Sequence, residues 1–62
     1  MYIIHIDSML VALMYATRKE AFAEWDDLIK YGKKGDKMVM YKKTSLADTL
    51  IATATVTGVG HE

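Results

Sequence analysis

The chain has no cysteine and no proline among its 62 residues, and only two histidines, His5 and His61. Without cysteine it can form neither disulfides nor thiolate metal sites. Long apolar spans are missing too. The run over residues 9–16 is eight residues long, against the roughly 20 that a transmembrane helix needs. It does not read as a secretory signal, because His5 and Asp7 precede it instead of a basic segment. Arg18-Lys19-Glu20 also stands where small cleavage-site residues would be. Low-complexity segments and internal repeats are absent. These absences set the expectation of a cytoplasmic protein without a membrane span. It would be one small domain over residues 1–58, with 59–62 as a frayed tail.

A domain of this length buries only about 60% of the surface exposed by its unfolded chain. Folds of this size are commonly reinforced by disulfides, by a metal or by further copies of themselves. The composition removes the first two, so self-association is the expected reinforcement, as a homodimer or a higher oligomer.

Charge is balanced in number but not in position, with eight basic and eight acidic residues. Six lysines (Lys30, Lys33, Lys34, Lys37, Lys42, Lys43) stand against Asp36 within residues 30–43, and the remainder is acidic. Such a dipolar surface suits head-to-tail contact or one anionic partner better than general nucleic-acid binding.

The clearest local pattern is TRKEAFAEWDDLIKYG. Thr17 and Glu20 have the spacing of a capping box, and Ala21, Phe22, Trp25, Leu28 and Ile29 follow at helical intervals. Gly32 stands where a left-handed cap would end the helix. The spacing predicts a helix over 18–31. After a turn around Gly35, KMVMYKK alternates as a strand over 37–43, and TLIATATVT reads as a last strand over 49–57.

The opening YIIHIDSMLVALMYA admits two readings. In one, strands over 2–6 and 10–15 form a hairpin turning at Asp7-Ser8. In the other, Ser8 caps a single helix over 9–31, giving βαββ. The hairpin is preferred, because a capping box at Thr17 would be wasted in mid-helix and a helix over 9–16 would be apolar on nearly every side. The expected fold is therefore α+β, ββαββ: a four-stranded, mainly antiparallel sheet with one helix packed on one face. Thirteen of the first sixteen residues are apolar, so both faces of the hairpin are apolar. One helix covers one face, and the other face is expected to be an interface. Alternation groups Tyr2, Ile4, Ile6, Leu10, Ala12 and Met14 in one layer. Ile3, His5, Val11, Leu13 and Tyr15 form the layer assigned here to the oligomer interface.

Chemistry-bearing residues are few. His5 with Asp7 lacks a nucleophile or a third ligand and reads as a structural or interface histidine. Asp26 and Asp27 point about 100° apart on a helix and do not converge on one ion. GKKGDK follows a helix and precedes a strand, the reverse of a phosphate-binding P-loop. With no credible nucleophile, acid–base pair or metal site, the chain reads as non-enzymatic and without a cofactor. In size and plan, though through no motif, it resembles small accessory proteins of phages and mobile elements. The leading expectation is a homo-oligomeric interaction module, an inhibitor or adaptor that binds another protein. An alternative is an oligomer that sequesters a nucleotide-like ligand at its subunit junctions, with Lys33, Lys34, Lys37 or Lys42 meeting phosphates and Tyr41 or Tyr15 stacking on a base; Lys43 is a further candidate contact for an anionic partner. A second alternative is nucleic-acid binding through the 30–43 lysines.

Overall fold

The computed structural model describes residues 1–61. Its elements run β1 (Tyr2–Ile6), β2 (Leu13–Tyr15), α1 (Arg18–Tyr31), β3 (Lys37–Lys43) and β4 (Asp48–Thr55), and a 3-10 turn follows at Val59–His61. The four strands form one antiparallel sheet in the order β2-β1-β3-β4. This is the α+β, ββαββ arrangement, and the single long helix over 9–31 is excluded. The end expected to fray carries the 3-10 turn, which lies against α1; Glu62 lies outside the described residues.

The helix begins where its cap is encoded. Thr17 is extended, and its hydroxyl accepts the Glu20 N–H at 3.2 Å, supplying one of the four amides that a helix start leaves without a partner. At the other end Gly32 is extended (φ −74°, ψ −179°) and not left-handed as the sequence suggested. Its N–H still donates to the Leu28 carbonyl at 2.9 Å. A glycine stands here for lack of room: a Cβ would lie 2.6 Å from the Leu28 carbonyl oxygen and 3.2 Å from Val56 Cγ1. The positions that favour glycine for their backbone are Gly35, with φ of +95° in the turn leading to β3, and Gly58, with φ of +68° after β4.

α1 packs on β1 and β2. Ala21 and Trp25 from the helix, Ile4 and Ile6 from β1, Met38 and Met40 from β3, and Val56 form the core. Ile4, Met38 and Met40 are completely inaccessible. Cross-strand pairing explains the grouping, since Ile4 lies opposite Met40 and Ile6 opposite Met38. No polar or charged side chain is buried among the described residues. The core is therefore held by apolar contact alone, which is non-directional and tolerant of shape. Tyr15 borders it; burial and then the negative charge of Glu24 raise its phenol above the usual 10.0.

Two expectations about the opening stretch are corrected. The second strand is three residues long, not the expected 10–15, and residues 7–12 form a loop. The end of β1 is tied to β3 instead of turning straight back. Asp7 donates its N–H to the Lys37 carbonyl at 3.1 Å, and the Ser8 hydroxyl donates to the Asp36 carboxylate. The chain then needs a wide loop to return. The pairing also differs by one residue from the expected layers. Tyr2 faces Tyr15, Ile3 faces Met14 and Ile4 faces Leu13. A one-residue change of register moves every side chain of a strand to the opposite face. Leu13 and Tyr15 consequently lie on the helix side, packed against the core. Met14 lies on the other. The last strand ends at Thr55, two residues before its expected limit.

Candidate functional site

The face of the sheet turned away from α1 has no cover from the described residues. The Cα extents of 41 × 21 × 17 Å leave the thinnest direction room for one sheet and one helix only. On this open face the registers line up one residue from each strand: Met14 is opposite Ile3, Ile3 opposite Tyr41, and Tyr41 opposite Leu50. Directly opposed residues of antiparallel strands share a face. The four side chains therefore form a single apolar row across the whole sheet. At its two ends Met14 and Leu50 are 63% and 61% exposed. Ile3 and Tyr41, in the middle, are half-buried.

The row has distinct borders. On one side lie Lys43 and Asp48, directly opposed across β3 and β4. On the other lie His5, Val39 and Thr53, again directly opposed. The His5 ring meets the Tyr41 ring at a centroid distance of 5.4 Å and an angle of 58°, within the range where tilted aromatic pairs attract. Beyond them Lys37 faces Thr55. A shallow depression runs along this end of the face between β3 and β4, lined by Lys37, Val39, Thr53 and Thr55.

A bulge sets part of this geometry. Met40 is opposite Ala52 but Tyr41 is opposite Leu50, so Ile51 is an extra residue in β4. Without it Leu50 would alternate to the helix side. The bulge places Leu50 on the open face and completes the row. Sequence alternation alone grouped Leu50 with Ala52 and Ala54, and no signal in TLIATATVT marks the extra residue.

The structure brings together some of the residues expected at an interface and separates others. Ile3 and His5 lie on the open face. Leu13 and Tyr15 are on the helix side, and Val11 is exposed in the 7–12 loop next to Leu10. Met14 and Leu50 belong to the face but were not singled out as interface residues. The lysines also divide. Lys37 and Lys43 share the open face with Tyr41, whereas Lys42 is opposite Tyr2 on the helix side. Lys33 and Lys34 lie in the connection before β3, and Lys30 is in the last turn of α1. The basic run of the sequence is thus spread over several surfaces. Among the described residues, no three His, Asp or Glu side chains gather where a metal could be held. Among the same residues, no helix is long and apolar enough to cross a membrane. Compared with protein-family models, with curated proteins and with solved structures, the chain matches none.

Proposed function

We propose that this chain is a non-enzymatic interaction module that associates with copies of itself through the open face of its sheet. In this reading it presents its charged surfaces to another protein as an inhibitor or adaptor in the cytoplasm. The observation that carries the reading is the Met14–Ile3–Tyr41–Leu50 row. An uncovered apolar band crossing every strand of so small a sheet is the usual mark of a protein contact. Its margins support the same reading. Lys43, Asp48, His5 and Thr53 give the band the polar rim that protein interfaces have around an apolar centre. A second copy of the same face is the most economical cover, since two-fold association is the commonest route for a small soluble chain.

Light scattering behind size-exclusion chromatography tests the reading. The wild-type chain should elute at a multiple of its 7.0 kDa mass. Met14→Lys and Ile3→Lys should each lower that mass at micromolar concentration, with circular dichroism and the Trp25 emission unchanged. A wild-type protein that runs as a monomer throughout that range would overturn it.

A further inference from the structure

The open face is too small to hold two copies together alone. Its longest strand, β4, has eight residues, and the sheet has four strands. At about 3.3 Å per residue and about 4.8 Å between strands, the face outlines on the order of 500 Å². A facing pair would then bury about 1,000 Å², short of the about 1,200 Å² where specific association begins. A second surface must contribute, and the sheet has one: the outer edge of β4.

The two edges of the sheet are unlike. β2 has three residues and leads directly into the cap of α1. β4 has eight, with Asp48 its one charged residue. It therefore lacks the lysines, prolines and inward charges that normally keep an edge from pairing. The chain also leaves this edge free. After β4 it turns towards the helix, where Thr57 and Gly58 donate their N–H groups to the Ile29 carbonyl at 3.0 and 3.1 Å. The direction of the free groups follows from Val56. Its N–H donates to the Asp36 carbonyl at 2.8 Å, and its carbonyl accepts from Gly35 at 3.0 Å, so both face β3. In an extended chain these groups point to opposite sides in successive residues. Those of Thr55 and Thr53 therefore point outward, ready for another strand.

We infer that β4 pairs antiparallel with β4 of a second copy about a two-fold axis at Thr53, joining two sheets into one of eight strands. This rests on the reading of the open face as a self-association surface. The two-fold places Thr53 opposite Thr53 of the second copy and Ala52 opposite its Ala54. The first pair is polar and on the open side; the second is small and on the helix side. α1 packs on β1 and β2 and reaches the end of β4 at its C-terminus, where Gly32 approaches Val56 and the Ile29 carbonyl accepts from Thr57 and Gly58, so it lies on one face of the sheet and not across the outward edge at Thr53. Pairing also extends the open face to about 1,000 Å² for each edge dimer. Two such dimers packed face to face would bury about 2,000 Å², within the range of stable assemblies. The expected particle is a tetramer in which edge contact and face contact each supply what the other lacks.

The absence of native cysteine makes the register directly readable. Residues exchanging both backbone hydrogen bonds have Cα atoms about 5.5 Å apart, a distance a disulfide spans. Thr53→Cys should give a covalent dimer under mild oxidation, whereas Ser45→Cys, exposed in the β3–β4 turn, should not. Thr53→Pro removes an outward N–H and no bond to β3, a placement edge strands accept. It should leave only the face contact, which is too small to hold two copies alone, and so reduce the assembly to monomer; Met14→Lys should lower the mass by removing the other contact. A wild-type mass of twice the chain that Met14→Lys reduces and Thr53→Pro does not would overturn the edge pairing while leaving the face reading standing. A wild-type monomer would overturn both. Crosslinking of Thr53→Cys no better than that of Ser45→Cys would overturn the register.

Discussion

Gly32 shows how a residue can be anticipated for one reason and required for another. Its place after the helix suggested a left-handed cap, yet its backbone is extended and open to any residue. What requires glycine is the approach of the Leu28 carbonyl and of Val56 to the space a side chain would fill. Gly32→Ala should therefore destabilise the fold by about 2 kcal/mol, a magnitude typical of forcing an extra carbon into a packed site. Urea denaturation monitored at Trp25 reads this directly, and an unchanged midpoint would show that the helix end can shift without cost. The steric requirement was hidden in the sequence, because Val56 is 24 positions away and only the fold brings it to the helix end. His5 was more legible. It was expected on a strand, and it stands on β1, exposed beside Tyr41.

At the scale of elements, α1 was readable to the residue because its signals are local: a cap, a stripe of fixed period and a glycine after the end. Thr17→Ala tests the first of these. Losing the hydroxyl that accepts from Glu20 should cost about 1 kcal/mol, seen as a fall in melting temperature of roughly 4–8 °C for a domain this small. Thr17→Ser should restore most of it. Beta structure was readable where the pairing is local as well. β3 begins and ends where its alternation does, and the turn to β4 is fixed by Thr44, whose hydroxyl accepts from the Leu46 and Ala47 amides. β2 was not readable, because its length and register depend on Asp7 being held by Lys37 of β3 and Ser8 by Asp36 just before it, residues some 30 positions later. The bulge at Ile51 escaped for a similar reason, since it is a property of two strands together. Both misses act on faces rather than on topology. The fold was correctly anticipated, while two of the five residues expected at the interface, Leu13 and Tyr15, lie on the helix side.

For the molecule as a whole, the excess of apolar residues in the first quarter of the chain indicated two buried surfaces, and the structure supplies one of them. Ile4 and Ile6 go under the helix, while Ile3 and Met14 are left on the open side. The lysine-rich stretch was legible only as composition, because a strand and a turn divide its members among several directions. The methionines divide in the same way, and this gives the molecule two different sensitivities to oxidants. Met38 and Met40 have no accessible surface, whereas Met14 is largely exposed at one end of the apolar row in the proposed contact. Dilute peroxide acting on the dissociated chain should convert Met14 to its sulfoxide well before the core pair, as peptide mass spectrometry would show; equal rates at the three positions would contradict it. The sulfoxide is polar and larger than the thioether. Oxidative stress would then disassemble the particle while each subunit stays folded, a reversible chemical control on assembly set by which sulfur atoms the sheet leaves in contact with water.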